Sequence, residues 1–371
     1  MKKGMMAFLA LCMIFVSGCT TSYHYYTRSF YDYFDTVTSY MTYATSEAAF
    51  DQQCKLVEKK LAYYDALFDQ YHSHSHINNV KTVNDAAGKK AVKVDRALID
   101  CVSLSISRSR HISSQVNIAM GSVLSIWHSY RTKAEKNNNE GSVPSYKELK
   151  KASQHCDLSS ISIDKKASTL YISDDETSLD LGATAKGYAI EKIKQALINA
   201  HVDNFLISGG GNVVSHGVRK LRKSGDFYLS ACEKKYCVGI ASPQDGNYAS
   251  TGADSTNEAV LIADGSSIVT SGDYQRYYKD KNGVRYSHLI DPKTLYPATY
   301  FRSVSIITKD SSLADFLSTA LFLMPYSKGR KLIESLKGVE AIWLLTSGKI
   351  RYSSGLHDNN NLYIINKDRL K

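Results

Sequence analysis

Phe50, Val57, Leu61, Tyr64 and Phe68 recur at helical spacing, which predicts a long amphipathic helix over residues 46–71. Residues 95–111 read as a second helix. Ala189, Ile193, Ala196 and Ala200 make one apolar stripe over 185–200, and residues 313–324 read as a fourth helix. Elsewhere the period changes to two. Ile161/Ile163, Leu170/Ile172 and Leu179/Leu181 alternate with polar residues, the pattern of short half-buried strands. Further strands are predicted at 204–208, 226–231, 237–241, 258–263, 303–308 and 340–345. Residues 132–144, with three consecutive asparagines from Asn137, read as a polar loop. Helices and strands do not alternate strictly, no repeat is present, and no linker-like stretch follows residue 30. The pattern predicts one α+β domain of mixed or antiparallel sheets flanked by helices.

Of the 371 residues, 43% are hydrophobic and 22% charged, a balance that excludes a disordered tail, a collagen and a polytopic membrane protein. The chain is long enough to bury a core without disulfide staples. Forty-six basic against 36 acidic residues give +10, which suits an anionic surface or ligand but reads first as general solubility. No basic run carries interleaved aromatics, so nucleic acid is not the expected partner.

Lys2 and Lys3 precede an uncharged apolar run from Ala7 to Val16, too short to span a bilayer and right for a signal-peptide core. It ends in Val16-Ser17-Gly18-Cys19, which resembles a bacterial lipobox. The expected organisation is a signal peptide over 1–18, lipidated Cys19 with a tether over 19–30, and a domain over 31–371. That places the domain at the outer face of the bacterial cytoplasmic membrane, held by lipid. Cys12 lies in the signal and Cys19 takes the lipid, so five cysteines remain, an odd number that argues against a full disulfide framework. Cys232 and Cys237 flank four residues and read either as one bridge across a hairpin turn or as two unpaired small hydrophobes. No zinc-site spacing occurs.

Five places can carry chemistry. Ser178 to Tyr188 runs from a strand through a Gly turn into a helix. Free amides at that helix start, with Lys186 in its first turn, suit a phosphate; a capped helix with a packing Gly fits equally. The spacing is not that of a P-loop. Gly209-Gly210-Gly211 follows a strand without a Rossmann fingerprint, since Val214 stands where the last Gly is needed. Asp315 and Thr319 lie one helical turn apart and can ligate Mg²⁺; alternatively Ser312 caps the helix, Asp315 completes the capping arrangement and Thr319 bonds back to a carbonyl. His288, three residues before Asp291, can act as a general base or hold a turn. His72, His74 and His76 share a face only on a strand, and their composition reads as loop.

Together these segments resemble the ApbE family of FAD:protein FMN transferases. The matching pieces are Phe34-Asp-Thr36, Phe68-Asp-Gln-Tyr71 with Ser75, Val116 to Trp127, Leu179 to Tyr188, Leu206 to Asn212, Thr270 to Tyr274, Ser287 to Thr294, and Ala314 to Leu321. The resemblance implies a single T-fold-like α+β domain. It implies cleavage of FAD at its pyrophosphate with Mg²⁺ present, loss of AMP, and attachment of FMN to a Thr or Ser hydroxyl of a target protein. Phe34, Tyr71, Gln115, Val116, Asn117, Asp180, Lys186 and Leu289 match FAD-contacting positions. The Ala183 carbonyl, Asp315 and Thr319 match the metal ligands, and His288 matches a His needed for transfer. Expected targets are extracytoplasmic flavoproteins, such as membrane redox pump subunits or secreted flavin reductases, carrying an Asp-x-x-(Ser/Thr)-Gly/Ala-Thr-like motif.

Departures from the family are Phe34-Asp35 for Met-Gly, Asn117 and Ala119 for Asp and Thr, Lys81 for Asn, and Leu295 for Gly. None removes a metal ligand or His288. Two rival readings are a Mg²⁺-dependent FAD pyrophosphatase, with water as nucleophile, and a flavin-binding lipoprotein without catalysis.

Overall fold

The computed structural model describes residues 22–220, 232, 234–243, 257–357 and 362–364. Cys19, the signal segment and the strand expected at 226–231 lie outside them.

Ser46 accepts the amide of Ala49 and so starts helix α1 (Glu47–Phe68), whose buried stripe includes Phe50, Val57, Leu61, Tyr64 and Phe68 as the periodicity predicts. Asp95 caps α2 (Arg96–His111) in the same way. A third helix, α3 (Gly121–Glu135), takes in residues 132–135 that read as loop; buried Trp127 and Ala134 hold its inner side. In α4 (Ala185–Asn199) the buried positions are Ala189, Ile190, Ile193 and Leu197, while Ala200 is exposed. Hence Ala189 and Ile193 of the predicted stripe face inward, and Leu197 rather than Ala200 continues it. Helix α5 (Ser311–Phe322) is buried almost all round.

Eight antiparallel strands form the main sheet: β1 (His24–Tyr33), β2 (Thr36–Ala44), β3 (Phe205–Gly209), β4 (Asn212–His216), β5 (Ser267–Gly272), β6 (Phe301–Thr308), β7 (Glu340–Leu345) and β8 (Ile350–Tyr352). Their order across the sheet is their order along the chain. Side chains alternate between its faces as the pleat demands. Phe205, Ile207 and Val214 pack with α1 and α4 residues, and Ala341 and Trp343 with α5. Leu206, Ile268, Ile342 and Leu344 point the other way, into a cluster with Tyr236, Ile240, Ala259, Leu261 and Leu362 of a small three-stranded sheet. The α+β class with antiparallel sheets is therefore observed.

Two local readings change. Residues 24–30, read as tether, belong to β1, whose Tyr26 stacks on Phe50 at 5.0 Å. Leu179–Leu181 is not a strand. The Asn84 amide takes the place of a strand neighbour, donating to the Leu179 carbonyl and accepting the Leu179 N–H. Cys232 and Cys237 are joined in a disulfide.

Candidate functional site

Helices α4 and α5 cross where the first begins. Thr184, at the N-cap, makes no capping bond, so the first amides of α4 are not claimed by its own cap. The Gly187 N–H donates instead to Asp315 Oδ2 of α5 at 2.7 Å. As the third residue of α4, Gly187 has one of the amides that a helix start leaves without an acceptor in the helix, and Asp315 supplies one. A Cβ on Gly187 would stand 2.3 Å from Asp315 Cβ, so only Gly allows the crossing. Lys186 reaches across to the β3–β4 turn, where Nζ donates to the Gly210 carbonyl at 2.9 Å. Gly210 and Gly211 sit there at φ +52° and +90°.

Asp315 is not a capping residue. The cap of α5 is Asp310, which accepts from Ser312 and Leu313. Buried Arg108 fixes that end, donating to the Ser312 carbonyl and hydroxyl at 2.7 Å and to Asp310 at 3.0 Å. The capping alternative falls, and Asp315 is left to face α4. Thr319, one turn on, lies 3.4 Å from the Ser271 hydroxyl rather than bonding back along its helix. Burial pushes the Asp315 carboxyl up to about 6 against the opposing charge of Lys186. Burial likewise pulls the Lys186 ammonium below its ordinary value, although Asp315 opposes this. Desolvation wins over mutual attraction on both sides, so each charge gains from a further counter-ion.

The donors gathered here, a carbonyl, a carboxylate and a hydroxyl, are all oxygen, the set that a hard cation takes. No group of three His, Cys, Asp or Glu able to hold a metal occurs among the described residues. A cation here therefore needs the mixed set. The residues fit Mg²⁺ because the Asp315 carboxylate is buried with too little positive charge around it, Oδ2 being met only by the neutral Gly187 amide.

His288 is half-buried and directly follows the short strand Arg285–Ser287, which pairs with Tyr277–Lys279. Both its backbone N–H and its Nδ1 meet the Arg276 carbonyl, at 3.1 and 3.2 Å. A carbonyl only accepts, so Nδ1 carries the proton and Nε2 keeps its lone pair. Burial, then the charges of Arg276, Arg131 and Lys186, pull its pKa down to about 3. The imidazole is neutral at working pH.

Around this centre stand other residues singled out in the sequence. Tyr71 is 48% exposed, with a raised pKa from burial and from Asp180. Asp180 accepts from Gln70 at 3.0 Å and from the Gly182 amide at 2.8 Å. Phe34, at φ +56°, donates its N–H to Asp65 at 2.7 Å. Gln115 donates to the Leu323 carbonyl. The Asn117 side chain is held by the Cys156 carbonyl and the Ala119 amide. Val116 and Leu289 are buried in the cluster that packs α5. His72 and His74 both turn to Asp69, at 3.2 and 2.9 Å, and hold the turn before Tyr71.

Sequence reading missed three side chains. His128 stacks on Tyr71 with centroids 4.9 Å apart. Arg131 donates to His128 Nδ1 at 2.9 Å, which fixes that imidazole as neutral. Arg276 donates to the Asp35 carbonyl at 3.3 Å while its own carbonyl holds His288. The signals were present. His128 and Arg131 continue α3 directly after Trp127, and Arg276 lies between two matching segments.

This backbone is shared with flavin transferases. The flavin transferase ApbE from Vibrio cholerae overlays with a TM-score of 0.70 at 19% identity, over 90% of this chain and 98% of that one. The ApbE protein of Thermotoga maritima gives 0.74 at 24% identity, over 90% and 98%. Residues 34–343 match the ApbE family, and the chain belongs to it. The FAD:protein FMN transferase of Treponema pallidum is 32% identical over 283 residues, covering 74% of this chain and 73% of that protein. That of Klebsiella pneumoniae is 26% identical over 282 residues, covering 75% and 78%.

Proposed function

We propose that this chain is a transferase that moves FMN from FAD to a Ser or Thr hydroxyl of a target protein. The observation that carries the reading is the Gly187–Asp315 bond, which brings Lys186, Asp315 and the α4 N-terminus together within electrostatic reach of a neutral His288. The positive end of the α4 dipole, with the Lys186 amide and ammonium, binds the pyrophosphate. Mg²⁺ held by the Ala183 carbonyl, Asp315 and Thr319 supplies neutralisation of phosphate charge. His288 Nε2 accepts the proton of the target hydroxyl as that oxygen bonds to the FMN phosphorus. The bond between that phosphorus and the bridging oxygen breaks, and AMP leaves with the electron pair. Phe34, Tyr71, Asp180, Leu289 and the Gln115–Asn117 segment shape the flavin nucleotide cleft.

The protein acts outside the cytoplasm, anchored through Cys19. The Cys232–Cys237 disulfide supports an oxidising compartment. Its partners are flavoproteins carrying the Asp-x-x-(Ser/Thr)-Gly/Ala-Thr-like motif.

The test uses the chain from Thr20 with FAD, Mg²⁺ and a protein bearing that motif. Intact-mass spectrometry reads one added FMN, lost on acceptor Thr→Ala or with EDTA. Free FMN and AMP without labelling make the chain a pyrophosphatase instead. Bound FAD left intact makes it a binding protein.

A further inference from the structure

Asn212 opens β4 at the turn that Lys186 grips through Gly210. Its side chain is 0% exposed, and neither Oδ1 nor Nδ2 has a hydrogen-bond partner among the described residues. Buried amides are nearly always paired, because leaving one bare forfeits its bonds to water. The ladder explains nothing here. The cross-strand neighbours are Gly209, with no side chain, and Val269, an apolar one. The polar group at hand is Asp315. Asn212 lies beside that carboxylate, yet outside hydrogen-bond geometry. Asp315 Oδ2 is already engaged by Gly187, which leaves Oδ1.

We propose that Asn212 is a positioning residue for the cation: only when Mg²⁺ is bound would its Nδ2 hold Asp315 Oδ1 and its Oδ1 accept from a water carried by the ion. The proposal rests on the reading of Ala183, Asp315 and Thr319 as the cation site. Mg²⁺ keeps several of its waters, and a buried acceptor beside the carboxylate orients one of them.

Calorimetric titration of Mg²⁺ without FAD tests this, together with melting in EDTA, on wild type, Asn212→Leu, Asn212→Ala and Asp315→Ala. Asn212→Leu is expected to lower Mg²⁺ affinity at least about tenfold. In EDTA it is expected to melt above wild type, since an apolar group of similar size replaces a bare amide. Asn212→Ala is smaller, cannot overfill the site, and is expected to lose affinity in the same direction. If both variants bind Mg²⁺ like wild type while Asp315→Ala does not, the proposal for Asn212 falls and the cation site stands. A lower melting point of Asn212→Leu with unchanged affinity assigns the amide to the fold. If Asp315→Ala also binds normally, or wild type binds none, site and proposal fall together.

Discussion

The Gly187 amide is bound by Asp315 Oδ2 at 2.7 Å, and the Cβ that Gly187 lacks would lie 2.6 Å from the Ser311 carbonyl. One residue thus sets both the distance between α4 and α5 and the direction of the carboxylate. Gly187→Ala must push the helices apart. The expected cost is about 1–3 kcal/mol of stability, with loss of transfer activity. Denaturant unfolding and the labelling assay on one preparation check it; an active, fully stable variant would refute the crossing as described.

Asp315 predicts a pH dependence of definite sign. Its carboxyl rises from the ordinary 3.8 to about 6, so the metal-free folded protein holds a proton that the unfolded chain gives up. The cost of the buried charge is absent below the ordinary value and complete above about 6. Metal-free Asp315→Asn is therefore expected to be more stable than wild type at pH 7–8, with the gap closing towards about pH 4. Melting curves in EDTA across that range decide. Mg²⁺ competes with the proton, so raising Mg²⁺ is expected to move the acid limb of wild-type activity to lower pH.

His288 does not produce that limb, because its pKa is already about 3. His288→Asn is expected to lower the transfer rate by about 10²–10⁴-fold with FAD affinity near that of wild type. Separate measurement of FAD binding, by flavin fluorescence, and of labelling rate checks the split. A matching loss of binding would make His288 a ligand-holding residue.

His128 braces Tyr71 from behind and is itself fixed by Arg131. His128→Ala is expected to weaken FAD binding several-fold, about 0.5–1.5 kcal/mol, while leaving thermal stability nearly unchanged. Equal FAD affinity would show that Tyr71 needs no brace.

The Cys232–Cys237 bridge closes a short loop far from His288 in sequence. Its reduction is expected to remove about 2 kcal/mol of stability and leave activity in place at moderate temperature. Differential scanning calorimetry with and without reductant reads this directly.

Much of this was legible in the chain because local rules and tertiary needs agree. In α1, the Ser46 cap and the spacing from Phe50 to Phe68 point to one helix, and that helix is there. Asp315 and Thr319 were legible as a pair for the same reason. What sequence did not reveal depends on contacts distant along the chain. Ser312 has the form of a cap, but Arg108 and Asp310 take the end of α5. Leu179–Leu181 alternates like a strand, but an Asn84 side chain supplies its partner. Two departures from the family proved to be backbone matters. Asp35 and Leu295, which stand where Gly is usual, adopt φ +49° and +65°. Buried Leu295 offsets that strain by packing beside Trp127, whose indole N–H meets the Leu295 carbonyl at 2.9 Å.

The order of the main sheet has one long gap. Strand β2 pairs with β3 across about 160 residues of intervening chain, although every other step in the sheet is shorter. That excursion carries Tyr71, His128, Asp180 and Lys186, whereas His288, Asp315 and Thr319 follow it. The residues proposed to bind phosphate and the His288 proposed to activate the hydroxyl thus lie on opposite sides of one large loop closure, a slow and entropically costly event. A growing chain owns the first set before the second, and cannot grip a dinucleotide and activate an acceptor until nearly all of it has arrived.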